Sequence, residues 1–371
     1  MTADRAFDPA ARAAPFSGAR WLGVVLRRDA LPQLAPTVLL HAGPPFEGDI
    51  PPAVRNACVQ AILFEGLAPD AAGAQALLSE RSVRLLPAQD HNVVTPLAQV
   101  VSASMPLAVV GDASHVAWAP LVEGTPPALR FGTDAPQALV RLRAVTDLGL
   151  HRLAPLLRAH PVALMPLIAQ ALADGDECHA RTGAANAALV EALIGLSGDD
   201  SAALLASPGF VLPILMAAAC WRLQQRPLQG VSAVGGNGLA FGLRLHGQAH
   251  WRCVPATPPV GTRLPGSEQV EALGAIGDSA VIDFCGLGGQ SLDAAPALRQ
   301  EWRDLLPAGL AQRREAVVDP SSGLVDPERI AASGQLPLVN LAILDRAAAR
   351  GLLGRGWYAP DHALFAACFP T

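Results

Sequence analysis

Apolar positions along this chain follow two spacings, and the switches between them mark its organisation. Residues 21–26 and 37–40 are short β-rich runs that predict strands. Residues 53–65 carry apolar side chains at helical spacing and stop at Gly66, and Pro69 opens a second helix over 71–80. Residues 107–110 and 116–118 predict a strand pair around Gly111 and Asp112. From Ala135 to Gln225 the pattern is helical, dominated by Leu, Ala and Arg. Strand patterns return after Pro227, where 231–234 and 241–246 flank the hairpin turn Gly235-Gly236-Asn237-Gly238 and 251–254 add a third strand. The Pro-rich stretch 255–266 reads as a loop, and 280–285 as a buried strand between two glycine clusters. These shifts predict an α+β fold: two mixed α/β domains with an all-helical inserted domain. The expected partition is a flexible tail over 1–17, an N-terminal α/β domain over 18–134, a helical domain over 135–226 and a C-terminal α/β domain over 227–371.

Composition narrows the function classes. The chain has 371 residues, 51% hydrophobic and 16% charged, with a net charge of −5, so neither a nucleic-acid surface nor a polybasic membrane patch is expected. Its cysteines, at 58, 178, 220, 253, 285 and 368, form no C-x-x-C pair. That spacing argues against a zinc ribbon or a disulfide scaffold and suits a reducing cytosol, so no metal and no cofactor is expected. Residues 1–20 show no apolar signal core, and the longest apolar run, 210–221, is too short to span a bilayer. A cytoplasmic location follows as the expectation.

Candidate chemistry gathers at a few motifs. Gly277-Asp278-Ser279 offers a carboxylate, a hydroxyl and backbone N–H groups in one turn, and Gly286-Leu287-Gly288-Gly289 offers further donors of the kind that bind anions. The same pattern also fits two tight turns around a core element. His41, before Ala42-Gly43-Pro44-Pro45, stands at a strand end where ligand groups gather, or is simply bonded to backbone there. His91 beside Asp90 has the make-up of a tuned acid or base, though such a pair is more often a solvated loop. Asp176, Glu177, His179 and Arg181 are concentrated in one stretch, which is either a functional cluster or a helix junction capped by Asp176 or Thr182. Arg244 shares a strand face with His246.

Taken in order, these motifs resemble the YlbE-like, or AllG-like, family, linked to bacterial oxamate carbamoyltransferase. The matching residues are His41 to Pro45, His91, Ser102 to Pro106, Glu123-Gly124 with Arg130-Phe131-Gly132, and Gly175-Asp176-Glu177 with His179. They continue with Asn237-Gly238, Phe241 to Arg244, Ile276 to Ser279, and Gly286 to Gly289 with Ala294-Ala295-Pro296. The resemblance implies two mixed α/β domains plus a helical one, and transfer of a carbamoyl group between carbamoyl phosphate and a small amide in bacterial nitrogen metabolism, within purine catabolism. It implies catalytic roles among His41, His91, Asp176, Glu177, His179 and Asp278. Substrate contacts would come from Arg130, Arg181, Asn237, Gly238, Arg244, Gly277, Ser279, Gly286, Gly288 and Gly289. The partners implied are a small-molecule substrate and a second protein subunit or further copies of the chain.

The chain departs from the family pattern in places. One histidine remains where the family has several around His91, and His179-Ala180-Arg181-Thr182 stands for His-Asn-Arg-Asn. Val339 to Asp345 lacks the histidine and glycine of the family's Asn-Thr-Gly-Ile-Ala-His, and Gln290 to Asp293 replaces a more apolar segment. The alternatives are a non-catalytic structural or regulatory subunit, and an amidohydrolase of a related amide. Two expectations follow for the structure. His41, His91, Asn237, Arg244, Asp278 and Gly288 should surround one cleft, and Asp278 should meet Arg244 or the Asn237 turn.

Overall fold

The computed structural model describes residues 7–225 and 230–366. The fold is α+β, with four small sheets wrapped by helices. In the first sheet Arg20–Leu26 pairs with Pro106–Gly111, which pairs with Val116–Pro120, all antiparallel. Its other edge is Val162–Ala163, a two-residue strand inside the otherwise helical stretch 137–224, lying against Arg20 and Trp21. A second sheet sets Val38–His41 between Arg84–Pro87, which is parallel to it, and Val100–Val101. The third orders Arg252–Pro255, Ala240–Leu245, Val231–Asn237 and Ile276–Gly277. The fourth orders Val260–Arg263, Leu352–Tyr358 and Val339–Leu344.

The centre of the molecule is the helix Leu212–Gln224. Ten of its residues are buried, including Ile214, Met216, Ala218 and Trp221 on different faces. A helix apolar all round belongs inside a protein, and this one packs against Pro106–Gly111, Val116–Pro120 and Val231–Asn237. Its second residue is Pro213, in the first turn, where a missing N–H costs nothing. No single helix among the described residues is long and apolar enough to cross a membrane. One continuous apolar core runs from Ala13 to Phe365.

Three sequence expectations are corrected. Residues 280–285 are not a strand: Ala280–Phe284 is a short helix with every residue buried. A short apolar run buried on all sides carries no period, so β-branched Val281 and Ile282 misdirect the reading. The Pro-rich stretch contains the strand Val260–Arg263, an edge strand paired with Gly354 to Trp357. Part of the N-terminal tail is ordered, since Asp8 caps the helix Pro9–Ala13, and Ala13 and Phe16 are fully buried. The first residues of that tail, Pro227, and the end of the chain with Cys368 lie outside the described residues.

The loop after Val38–His41 seats directly on Val231–Asn237. Gly43 has φ +72°, and a Cβ there would stand 2.4 Å from the carbonyl carbon of Gly236. Only glycine allows that approach and that backbone. Asn237 completes the seam by donating from Nδ2 to Pro44 O at 2.9 Å, while its Oδ1 accepts from Leu239 and Ala240 N–H and closes the hairpin.

Candidate functional site

A cavity of about 490 Å³ opens where the three stretches of chain meet. Pro96, Leu97, Arg130 and Phe131 line it from the first, His179, Thr182 and Leu212 from the helical stretch, and Thr262, Ser279, Glu301, Leu341 and Arg355 from the last. It is mostly apolar, with a few convergent polar groups, as small-molecule sites are.

His179 is the titratable base in this wall. It follows Cys178, whose φ of +70° turns the chain sharply after Glu177. His179 Nδ1 lies 2.8 Å from Asp283 Oδ2, and both side chains are buried. Burial draws the imidazole pKa down, but the Asp283 charge and hydrogen bond, with help from Glu177, outweigh it and leave the pKa raised. Asp283 is the single charge in an apolar stretch. Its Oδ1 accepts from Gly289 N–H at 2.7 Å and Asn340 N–H at 3.0 Å. Glu177, fully buried, accepts from Ala180 and Arg181 N–H and from Asn340 Nδ2 at 3.0 Å. Burial pushes its carboxyl pKa up, against the nearby His179.

Three arginines line the cavity, and one of them, Arg263, spends its Nη1 on Ser267 O and Val270 O. Arg130 is partly buried, hydrogen-bonded to Gly124 O, stacked 4.5 Å from the Phe131 ring centroid, with Nη1 at 3.9 Å from Glu123 Oε2. Burial lowers its pKa to about 10, opposed by Glu123, so it stays charged at neutral pH, and Nη1 makes no hydrogen bond among the described residues. Arg355 clasps Glu301, with Nε to Oε1 at 3.2 Å, and donates from Nη1 to Ala180 O at 3.3 Å. The sequence alone assigns no site role to Arg355, Glu301, Asn340 or Asp283. Their one local signal is Asp283, an acid where an apolar residue is due.

The other expected residues stand elsewhere. The buried Asp278 accepts from Gly43 N–H and Thr95 N–H at 2.8 Å each and from Gln89 Nε2 at 2.6 Å. Burial raises its pKa to about 7 against those donors. It does not meet Arg244, which bonds Asp90 and faces Trp251 at the surface. His41 is buried against Phe46 and donates from Nδ1 to Ala42 O at 2.8 Å; burial lowers its pKa to about 4, so it is neutral at pH 7. His91, half-buried at the end of a short 3₁₀ turn, also has its pKa lowered by burial. Asp176 caps the helix Gly183–Ala192 through Ala184 and Ala185 N–H, and Arg181 Nε lies 3.7 Å from Asp176 Oδ1. Asn237 and Gly238 turn the hairpin, and Gly277 sits on the short strand beside it. The N–H groups expected to cradle an anion are engaged internally: Gly288 N–H donates to Glu177 O and Gly289 N–H to Asp283. Gly286 O accepts from Ser291 and Arg314. The expected single cleft therefore divides. Arg130, His179 and Ser279 wall the cavity, Glu177 and Gly288 stand behind His179, and His41, Asn237 and Asp278 form a separate buried seam.

Among the described residues no group of three or more His, Cys, Asp or Glu is placed to hold a metal ion. Among the described residues, Cys58, Cys178, Cys220 and Cys253 are free thiols.

The family model described as oxamate carbamoyltransferase subunit AllG matches residues 83–279, and the chain belongs to that family. It is 30% identical to the Escherichia coli K12 oxamate carbamoyltransferase subunit AllG, over 86% of this chain and 85% of that one. It is 28% identical to the uncharacterized protein YahG of the same organism, over 91% and 79%. Among solved structures, a conserved protein of unknown function from Enterococcus faecalis V583 superposes with a TM-score of 0.82 at 26% identity, over 96% of this chain and 94% of that one.

Proposed function

We propose that this chain transfers a carbamoyl group between carbamoyl phosphate and a small anionic amide such as oxamate, in the cavity walled by Arg130, His179, Ser279 and Arg355. The observation that carries the reading is His179, set in the wall of a cavity that also holds Arg130, whose Nη1 makes no hydrogen bond among the described residues. Both substrates are anions, and a guanidinium presents the fork that a phosphate or carboxylate accepts. In the forward step the amide nitrogen attacks the carbamoyl carbon and gives its proton to His179 Nε2. The bond from that carbon to the bridging oxygen breaks, and phosphate leaves with the electron pair. His179 suits the task because, against its burial, the Asp283 carboxylate raises its basicity. Ser279 brings a hydroxyl to the same wall. The cavity lies where the three proposed units, 18–134, 135–226 and 227–371, meet.

Loss of the C-terminal family histidine bears little on this reading. Asp345, which ends that segment, caps the turn to Arg350 outside the cavity wall, whereas Asn340 joins Glu177 to Asp283 behind His179. The relative's name describes a subunit, so we also propose that the chain works with a second protein. The test is phosphate release from carbamoyl phosphate, with and without oxamate, by the chain purified alone and with any co-purifying subunit. Oxamate-dependent release lost in His179→Gln supports the reading. Release of ammonia independent of oxamate would replace it with amide hydrolysis, and failure to bind carbamoyl phosphate would leave a structural subunit.

A further inference from the structure

We propose that Asp283 is the positioning residue of this site: it holds the His179 ring with the proton on Nδ1, so that Nε2 is the nitrogen that takes a proton from the substrate. The inference rests on the reading of His179 as the base, but its first test does not use turnover.

Geometry carries it. Asp283 Oδ2 lies 2.8 Å from His179 Nδ1, while Oδ1 accepts the N–H groups of Gly289 and Asn340 at 2.7 and 3.0 Å. Main-chain N–H groups only donate and an ionised carboxylate only accepts, so the bond to His179 requires the proton on Nδ1. Anchored by two main-chain donors, the carboxylate is braced between the turn at Gly289 and the strand Val339–Leu344. Gly288 makes the meeting possible. A Cβ there would stand 2.2 Å from Asp283 Oδ1 and 3.1 Å from His179 Cβ. Asp283 is fully buried and His179 is 7% exposed, which leaves little room for water to replace either partner. Glu177 is the other carboxylate acting on the ring, and it is occupied by Ala180 and Arg181 N–H and by Asn340 Nδ2. The nearby cation Arg355 reaches this loop through Ala180 O and is clasped by Glu301. Of these groups, only Asp283 bonds the ring. A carboxylate that fixes the tautomer of a basic histidine is a general device of proton-transfer sites.

Asp283→Asn separates positioning from simple support. The amide oxygen keeps both main-chain bonds, and the new NH₂ group donates to Nδ1, which drives the proton to Nε2. The experiment is nitrogen-resolved NMR of histidine-labelled full-length protein, with the His179 signal assigned by its loss in His179→Gln. In the unsubstituted protein, above the pKa of this histidine, Nδ1 should carry the proton. In Asp283→Asn the tautomer should switch and the pKa should fall by about one unit or more. A kcat loss of roughly 10³- to 10⁴-fold with little change in KM should accompany it, the size seen when a carboxylate behind a catalytic histidine is neutralised. A wild-type His179 with its proton on Nε2 overturns the proposal without any variant, even if Asp283→Asn fails to fold. An unchanged tautomer and pKa in Asp283→Asn overturns it as well. A tautomer switch in a protein that never turns over carbamoyl phosphate upholds the positioning and removes only the transfer reading.

Discussion

The side chain of Gln89 pairs with Val234 as a neighbouring strand would: Nε2 donates to Val234 O at 2.9 Å and Oε1 accepts Val234 N–H at 3.0 Å. The same Nε2 reaches Asp278 Oδ1 at 2.6 Å. A buried amide thus stands in for backbone on the flank of Val231–Asn237 and fixes the carboxylate beside it. Gln89→Ala leaves both main-chain groups of Val234 without this partner and is expected to cost about 2–3 kcal/mol. Chemical denaturation checks this, with an unchanged slope as the sign that the native state is otherwise intact.

Asp278→Asn is expected to destabilise by about 1–3 kcal/mol, because one of the N–H donors now faces an NH₂ group in a buried site. Affinity for carbamoyl phosphate should stay within about 3-fold, well under the tenfold that 1.4 kcal/mol represents. A variant that melts like the parent but loses binding would return Asp278 to the cavity.

The pH dependence of stability has a sign at this seam. Burial lifts the Asp278 pKa to about 7 from its ordinary 3.8, so folding favours the protonated acid. Its contribution is full below the unfolded value and is lost as pH rises through about 7. His41 acts in the opposite sense: its pKa is depressed to about 4, so its contribution is present above 6.5 and lost as pH falls towards 4. Denaturation midpoints measured from pH 5 to 8 should therefore decline less steeply towards the alkaline side in Asp278→Asn than in the parent chain.

Arg130 is expected to carry anion affinity. Removing it alone strands buried Glu123, a change that costs about 3–5 kcal/mol and confounds any binding assay. The pair Arg130→Met with Glu123→Gln removes both charges and should fold. Calorimetric titration with carbamoyl phosphate should then show at least about a tenfold loss, on the order of 1.4 kcal/mol. Full affinity in the double variant would move the anion site away from Arg130.

Gly43→Ala is expected to destabilise by about 2 kcal/mol or more, since it combines a left-handed backbone with a contact that must open the seam. Thermal melting checks it.

Much of the fold was legible because alternation and turn chemistry are local. The strands around Gly111 formed where the pattern placed them, and the hairpin formed with its turn moved to Gly238 and Leu239, because Gly235 to Asn237 extend the first strand. Ala280–Phe284 was not legible, because burial on every side erases the period that separates helix from strand. The edge strand Val260–Arg263 was hidden for a different reason: its pairing with Leu352–Tyr358 is decided by a partner far along the chain. The site divides in the same way. Family resemblance pointed to Arg130, His179 and Ser279. Asp283, Glu301, Asn340 and Arg355 acquire meaning only through contacts distant in sequence. The motifs at His41, Asn237 and Asp278 were conspicuous because a tight seam, like a binding loop, selects glycine, proline and short polar side chains.

The cavity walls come from Arg130, His179, Ser279 and Arg355, in that order along the chain. A ribosome therefore releases the first wall long before the last, and no partial product encloses a pocket. Contacts of such long sequence separation form late. An anion that needs all four walls recognises only the completed molecule, so at saturating concentration it pulls the folding equilibrium towards that molecule by mass action. Substrate supply would then set how much of this protein a cell keeps, through the lifetime of the finished chain against its proteases.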